Sequence, residues 1–412
     1  MNTLMLSWVA GHLCSPRYQC LLCSSGSQGY SAFRESLYTG YPEHTLLMTN
    51  VDIRDISDDP CADPVKTANP LLDDSSGVLF SSVLQVSSMD GWCDSLNPPS
   101  TYVALFSNVR YIPKIFMENC GYVKNIDLSG LTNIEEIREK FMNRSGITTI
   151  DLTPLTDTLR SVEGGFLSAC TQLKSIDIAP LARVEKLPNQ LLSNCSSITS
   201  IDLASMANRT TLPSSFLCFT GLTTIDLSPL TKLTALPPKL LKHCTKLKSV
   251  KLPPTLEHID AIPYDFLVGC TSLTALNLAP LCNITTIGWD FLRGCTAIKK
   301  LDFTTLVHIK EFPSGFLSGC TGLTSIKFSG DMVDLTSIRR DFLGGTSLTT
   351  TDFSGFGNVT CIGDGFLKGC AKLVSIDLGP LHNLKALPEG FPRNTGVGWI
   401  KTTRRCWRKA DE

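Results

Sequence analysis

The chain has 412 residues with 37 basic and 38 acidic side chains, so its formal net charge is −1 and gives no electrostatic reason to expect a nucleic-acid partner. Hydrophobic residues make up 42% of the chain, which excludes disorder throughout. No apolar run approaches the ~20 residues of a transmembrane helix, and residues 1–12 lack the basic start and long apolar centre of a signal peptide.

Residues 1–76 form a poorly patterned segment that we predict to be partly disordered. Acidic residues cluster around Pro60, between residues 54 and 64, in a composition typical of a solvated linker. The residues near the start that are able to bind metal are His12, Cys14, Cys20 and Cys23. Their spacing leaves no separate second pair of ligands, so we predict no metal site and no cofactor.

Residues 77–97 are predicted to cap the repeats that follow. Apolar residues recur there at helical spacing: Leu79, Phe80, Val83 and Leu84, followed by Trp92. Stacked repeats need such a cap because the open face of the first unit would otherwise contact water.

A repeat dominates residues 98–391, which contain a partial first unit and eleven full units. A large apolar residue recurs at intervals of 24, 25 or 26 residues. It is found at Phe116, Phe141, Phe166, Leu191, Phe216, Leu240, Phe266, Phe291, Phe316, Phe342, Phe366 and Phe391. A unit of this length cannot bury its own flat faces, so neighbouring units must stack into a solenoid.

The first part of each unit predicts a short strand. In the clearest unit, Leu276 and Leu278 alternate with a polar Asn277, which places the two leucines on one face. Pro280 ends the strand because proline cannot donate a hydrogen bond to a sheet.

The last part of each unit predicts a turn that buries three side chains. Phe291, Leu292 and Cys295 are spaced so that one helical turn would carry all of them inward. Gly294 lies where such a turn needs a left-handed residue. We therefore expect short helices or 3-10 turns on the side opposite the strands.

Eight cysteines share one position of the repeat: Cys120, Cys170, Cys195, Cys244, Cys270, Cys295, Cys320 and Cys370. A free cysteine behaves as a small buried apolar residue. We interpret the series as core packing and expect no disulfides between successive units.

The middle outward position of the strand is acidic in eight of eleven units: Asp127, Asp151, Asp177, Asp202, Asp226, Asp302, Asp352 and Asp377. The first five are consecutive, and adjacent strands lie ~4.8 Å apart, so their like charges need relief. The preferred interpretation is structural, with neighbouring hydroxyls donating hydrogen bonds and Lys251 and Lys327 interrupting the series. The alternative interpretation makes Asp127, Asp151, Asp177, Asp202 and Asp226 the contact surface for a basic partner or a bound cation, of which the cation is disfavoured because the Gly-Asp-rich loop of calcium-binding repeats is absent.

Residues 392–412 form a basic C-terminal tail. Its cationic residues between Trp399 and Lys409 are Lys401, Arg404, Arg405, Arg408 and Lys409. A solvated end is the preferred interpretation, with phosphate binding or nuclear targeting as alternatives.

The repeat resembles the leucine-rich repeats of the BspA-like class. The resemblance rests on segments such as residues 316–326, FLSGCTGLTSI, and residues 251–259, KLPPTLEHI. Most units are 25 residues long, somewhat longer than is typical, and Leu281 stands where these repeats often place Asn. The resemblance implies an α/β fold: a curved right-handed leucine-rich-repeat solenoid with one parallel strand per unit.

No catalytic motif accompanies the repeat. The histidines after residue 12 occur at different repeat positions, and no phosphate-binding loop, G-x-S-x-G or H-E-x-x-H element is present. We therefore predict a monomeric, non-catalytic scaffold that binds a protein partner with a basic edge on its concave strand face. The alternative is a cell-surface or secreted adhesion protein, as the BspA-like resemblance implies.

The compartment bears on this choice. Without a recognised export signal a cytoplasmic location is expected, with the cell surface as the alternative. Asn-x-Ser/Thr sequences occur at Asn143, Asn194, Asn208, Asn283 and Asn358. They are informative only if the chain enters the secretory pathway.

Overall fold

The computed structural model describes residues 45–49, 101–105, 110–112, 114–121, 123–129, 131–254, 256, 258–388, 391, 395–403 and 406–409. The chain divides into two compact units between Ser197 and Ile198. The predicted cap over residues 77–97 and the cysteines near the start lie outside the described residues, as does most of segment 1–76.

The first unit contains two parallel sheets, each built from strands of successive coils. One sheet has the order β1 (Thr45–Thr49), β2 (Thr101–Leu105), β4 (Asn125–Asp127). The other has the order β3 (Tyr111–Ile112), β5 (Glu136–Ile137), β6 (Ser161–Val162). Thr45 pairs with Thr101, a step outside the 25-residue register, so the repeat pattern does not predict β1.

The second unit repeats this arrangement along a longer stack. Strands of the first series are β7 (Thr224–Asp226), β8 (Ser249–Lys251), β11 (Lys300–Phe303), β13 (Ser325–Phe328) and β16 (Ser375–Asp377). Strands of the second series are β9 (Ala261–Ile262), β10 (Thr286–Ile287), β12 (Glu311–Phe312), β14 (Ser337–Ile338) and β15 (Cys361–Ile362). The pairs β7 with β8, β9 with β10, β11 with β13, β12 with β14, and β14 with β15 are all parallel.

A hairpin extends the last sheet of the second unit. β17 (Trp399–Thr403) pairs with β16 in parallel, and β18 (Cys406–Lys409) pairs with β17 in the antiparallel sense. The residues grouped above as a basic tail therefore contain two strands.

Short 3-10 helices follow the strand position in four coils. They span Thr153–Leu155 and Ala179–Arg183 in the first unit, and Ala204–Met206 and Ala279–Leu281 in the second. Pro280 lies in the first turn of the last of these, where a missing N–H costs no hydrogen bond. The described residues contain no α-helix.

The hydrophobic register is confirmed by burial, but the strand predicted at residues 276–278 is wrong, because this segment forms no strand before the 3-10 helix Ala279–Leu281. Leu276 and Leu278 are 8% and 2% exposed, Phe291 and Cys295 are fully buried, and the intervening Asn277 is exposed.

The turn around Phe291 is not helical, however. Asp290, Leu292 and Gly294 have φ angles of 60°, 53° and 73°, so every second residue is left-handed. The same alternation recurs in eleven coils, four in the first unit and seven in the second. A spacing of four residues buries Phe291 and Cys295 in either conformation, which is why it suggests a helix.

Alternation lets the turn bond to the coils on both sides. The N–H of Leu292 donates to the Phe266 oxygen of the preceding coil at 3.1 Å. The N–H of Gly294 donates to the Ser318 oxygen of the following coil at 2.8 Å. The turn also keeps a constant length, because Ala261, Thr286 and Glu311 all lie five residues before the next buried Phe.

Phenylalanine rings fill the interior along each stack. In the first unit, Phe116, Phe141 and Phe166 stack with ring centroids 5.4 and 5.2 Å apart. In the second unit, Phe291 stacks between Phe266 and Phe316 at 6.0 and 5.7 Å. Repetition of one residue type thus gives each unit a continuous core.

The buried cysteines also donate hydrogen bonds. Cys295 Sγ donates to the oxygen of Leu267, the left-handed leucine of the preceding coil, at 3.1 Å. Seven ladder cysteines make an equivalent bond: Cys170, Cys195, Cys244, Cys270, Cys295, Cys320 and Cys370. The coils that lack cysteine at this position carry the buried hydroxyl residues Ser145, Thr220 and Thr346. The shared property of the position is therefore a small donor, and no described cysteine forms a disulfide.

Candidate protein-binding surface

We define the strand face as the outward side chains of the first strand series and of the equivalent segments in coils without a strand. The first unit carries three of the five predicted aspartates. Asp127 ends β4, and its side chain lies outside the description, whereas Asp151 and Asp177 are exposed. The second unit carries the other two, Asp202 and Asp226, which are also exposed.

Each described aspartate of the series accepts a hydrogen bond from the backbone two residues further on. Asp177 Oδ1 accepts from the N–H of Ala179 at 2.8 Å. Asp202 Oδ1 accepts from the N–H of Ala204 at the same distance. The carboxylate thus satisfies a backbone donor where the chain leaves the strand position.

Asn277 shows that the turn needs an acceptor and not a charge. Its Oδ1 accepts from the N–H of Ala279 at 3.1 Å, in the same geometry. Turn chemistry therefore accounts for a hydrogen-bond acceptor at this position, which either Asp or Asn supplies, and the donor common to the whole series is the backbone N–H.

Hydroxyls assist at three positions, those of Asp151, Asp226 and Asp302. The hydrogen bond from the Thr153 side chain holds the pKa of Asp151 below its usual range, with the Thr153 N–H contributing next. The Thr304 hydroxyl acts in the same way on the pKa of Asp302. These bonds favour the ionised carboxylate.

In the second unit, lysines offset the repulsion between the negative charges of the aspartate series. Lys251 Nζ lies 3.0 Å from Asp226 Oδ2, and Lys401 Nζ lies 2.5 Å from Asp377 Oδ2. Ser228 is the main cause of the lowered pKa of Asp226, and Lys251 adds to it. The predicted contribution of Lys251 is confirmed, and Lys327 lowers the pKa of Asp302 electrostatically after the larger effects of Thr304.

The pattern of aspartates does not predict a second group of exposed charges. Lys300 is exposed on the strand face of the second unit, and Lys248 and Lys299 are exposed one residue before the start of β8 and β11. For Lys248 the signal in the sequence was a run without acidic residues, because residues 227–256 contain six lysines and no Asp or Glu. Lys299 and Lys300 lie in a shorter run of the same kind, residues 291–301.

The described residues offer exposed polar side chains without the elements of a metal or membrane site. They contain no group of three or more His, Cys, Asp or Glu side chains able to hold a metal ion. Among the same residues, no helix has the length and apolar character needed to cross a lipid bilayer. What the surface presents is exposed carboxylates, lysines and hydroxyls on closely spaced strands.

The comparison with protein families now places the chain. The model for the BspA type leucine rich repeat region matches six copies in residues 95–216, 140–265 and 234–374, which is more than half of the chain. The chain belongs to this family. The predicted resemblance is confirmed, and so is the solenoid of parallel strands with few helices.

Solved structures of bacterial leucine-rich repeat proteins resemble the chain at low identity. A leucine rich cell surface protein of Faecalibacterium prausnitzii is 16% identical over 75% of this chain and 80% of its own, with a TM-score of 0.41. A leucine-rich repeat protein of Bacteroides ovatus is 18% identical over 73% and 84%, with a TM-score of 0.38.

The functional domain of InlJ from Listeria monocytogenes, described as including a cysteine ladder, is 19% identical with a TM-score of 0.34. The match covers 67% of this chain and 60% of that domain. No curated protein sequence matches the chain.

Proposed function

We propose that this BspA-type repeat protein is a non-catalytic scaffold whose strand face binds a protein partner. The family supports an interaction role for the repeats. The observation that carries the proposal is the exposed strand face of each unit: Asp177 in the first unit and Asp202 in the second make no ion pair with a described residue.

Short side chains make this face suitable for a broad partner. Thr149, Ser175 and Ser200 stand beside the aspartates and are exposed. A partner can approach the strands closely over such side chains, while the carboxylates supply charge complementarity. The part of a partner that contacts Asp151 and Asp177 should therefore carry Lys or Arg.

A scaffold role also agrees with the histidines. His258 contacts the Leu233 oxygen, His308 lies 3.4 Å from Asp334, and His382 contacts the Pro380 oxygen at 3.0 Å. None of these contacts places a histidine against a nucleophilic side chain, which hydrolytic catalysis of the Ser-His or Cys-His kind requires.

The experiment compares two charge-neutralised variants of the full chain. The test variant carries Asp151→Asn, Asp177→Asn, Asp202→Asn and Asp226→Asn. Asparagine keeps the turn acceptor, as Asn277 does naturally, and removes only the charge. The control carries Asp260→Asn and Asp364→Asn, which are exposed and lie outside the strand face.

Quantitative pull-down from native extract, at low and high salt, gives the result. We expect the test variant to lose a salt-sensitive partner that the wild type and the control retain. A test variant that retains every wild-type partner would place the binding surface elsewhere.

Family membership also fits a cell-surface or secreted adhesion protein that uses the same face. Microscopy of a tagged chain, with a glycosidase shift assay, separates this alternative from an intracellular scaffold. The exposed sequon residues, where a glycan would be found, are Asn194, Asn208, Asn283 and Asn358.

A further inference from the structure

Four exposed lysines of the second unit lie in or just before strands β8 and β11 and form a group that we call the lysine patch: Lys246, Lys248, Lys299 and Lys300. None of the four makes an ion pair with a described residue. Nearby lysines differ in this respect, because Lys251 pairs with Asp226 and Lys242 pairs with Asp265 at 2.8 Å.

The backbone sets the spacing of the patch. Lys248 donates its N–H to Thr223, and its oxygen accepts from Thr274 of the next coil. Lys299 holds the equivalent position two coils after Lys248, one coil beyond Thr274. Its oxygen accepts from the N–H of Thr324 in the coil that follows. Lys248 and Lys299 are therefore about 10 Å apart, two strand spacings.

The positive charge of the patch is not neutralised from the same face. Between Asp226 and Asp352, the outward strand positions carry one acidic residue, Asp302, whose Oδ1 accepts from both the N–H and the hydroxyl of Thr304. A surface of like charges without counter-charges attracts an anionic partner.

The surroundings of the patch decide between kinds of anion. In the second unit, Asp202 and Asp226 precede it along the strand face, and Asp352 and Asp377 follow it. A long uniform polyanion would be repelled on both sides. The outward positions of these strands also carry no aromatic ring on which a nucleic-acid base could stack.

We propose that the lysine patch binds a short acidic segment of a protein partner, with carboxylates facing Lys248, Lys299 and Lys300. A polypeptide can present this acidic segment between basic or neutral stretches, which matches the alternation of charge along the face. The inference rests on the proposed function and specifies the partner's chemistry at these coils.

The probe is a fluorescently labelled peptide in which four glutamates alternate with serines, and its analogue has glutamine in place of glutamate. The test variant of the full chain carries Lys248→Gln, Lys299→Gln and Lys300→Gln. The control carries Lys310→Gln, Lys368→Gln and Lys385→Gln, three exposed lysines that lie off the strand face and have no described ion pair. Fluorescence anisotropy measures binding, and thermal unfolding confirms that both variants fold.

We expect the acidic peptide to bind the wild type and the control alike and the test variant about tenfold more weakly, with the difference shrinking as salt rises. The glutamine peptide should not bind. Equal losses in both variants would overturn the proposal, because binding would then follow net charge alone. Stronger patch-dependent binding of heparin or oligothymidylate than of the peptide would also overturn it, in favour of a uniform polyanion.

A negative result in this test can be distinguished from a negative result in the test of the proposed function. The Asp→Asn variant used for the pull-down keeps all four lysines, so peptide binding and partner capture are measured on different residues. The two results can differ: the peptide can bind through the patch while the Asp→Asn variant still captures every partner. That combination would reject only the aspartate surface.

Discussion

At the scale of single residues, the aspartates of the strand face act through one oxygen atom. Asp177 Oδ1 accepts the Ala179 N–H, and Asn277 makes the same bond without a charge. The role of the residue in folding is therefore separable from its charge.

The first prediction follows from that separation. Asp177→Ala should lower the free energy of unfolding by about 0.5–2 kcal/mol, the usual cost of losing a capping acceptor. Asp177→Asn should be close to the wild type, because it keeps the acceptor. Urea denaturation of the three proteins measures both changes, and equal stability of the alanine variant would show that water replaces the carboxylate.

The second prediction concerns pH. Hydrogen bonds hold the pKa values of Asp151, Asp226 and Asp302 below those of the unfolded chain. Their contribution to stability is present above the unfolded value, about 3.9, and is lost as pH falls through the lower folded values. The urea midpoint should thus decline below about pH 4. Asp302→Asn should weaken that decline, and an unchanged pH dependence would count against the lowered pKa of Asp302.

The residue scale also shows what the sequence could predict. Burial of Leu276 and Leu278 and exposure of Asn277 follow from alternation alone. The bond from Ala179 to Asp177 does not, because it depends on the local backbone path after the strand. The sequence shows the positive charge of the lysine patch. Only the side-chain positions show that these lysines make no ion pair with a described residue.

At the scale of elements, the turn is the least predictable part of the coil. Phe291 and Cys295 are four residues apart, a spacing that suits both a helical turn and an alternation of left- and right-handed residues. Inter-coil bonds from Leu292 and Gly294 favour the second, since a helix would direct those N–H groups along its own axis.

The third prediction tests the left-handed backbone. Gly319 has φ 75°, and a Cβ atom there would lie 3.6 Å from Gly294 Cα, an ordinary contact. Gly319→Ala should therefore cost about 1 kcal/mol through backbone strain and not through a clash. Stability to urea is the measurement, with Ala371→Gly as an exposed comparison at a position outside the left-handed set.

The fourth prediction concerns the cysteine ladder. Burial raises the pKa of Cys320 to about 12, so its thiolate is scarce as well as enclosed. Native protein should react with a thiol reagent quickly at the exposed Cys361 and slowly at Cys270, Cys295 and Cys320. Mass spectrometry after digestion assigns the labelled sites. Labelling of Cys320 as fast as Cys361 would contradict a closed interior.

The ladder also corrects an element-level interpretation. Counting cysteines alone leaves three coils unexplained, although Ser145, Thr220 and Thr346 were visible at the same spacing. They belong to the series because a hydroxyl can contact the neighbouring thiol, as Thr220 does with Cys244 at 3.2 Å. The residues at this position share the capacity to donate a hydrogen bond and not a residue type.

At the scale of the whole molecule, each unit depends on its nearest-neighbour coils. The repeat length predicted the stacking, because no coil can bury both of its faces alone. It did not predict the division after Ser197 or the closing hairpin of β17 and β18. The repeat continues unchanged across Ser197, so it carries no sign of the division. It stops before the hairpin begins, so it carries no information about those two strands.

The fifth prediction addresses continuity of the core. Phe291→Ala removes a ring that stacks on both neighbours and should cost about 3–5 kcal/mol. Because the units are linear stacks, hydrogen exchange should accelerate most in the coils around residues 266–316. Acceleration spread evenly over the second unit would indicate global and not nearest-neighbour cooperativity.

The constant length of the turn determines where these coils tolerate change. From the second strand to the buried Phe the count is always five, yet β8 to β9 spans one residue more than β11 to β12: Ser249 to Ala261 is 12, and Lys300 to Glu311 is 11. Variation in coil length is therefore absorbed in two places: after the buried Phe or Leu, where Phe216 to Thr224 is 8 and Leu240 to Ser249 is 9, and in the arc between the two strands. A foreign loop or epitope grafted into that arc should leave the neighbouring coils in register, whereas one extra residue in the turn would shift every inter-coil bond there.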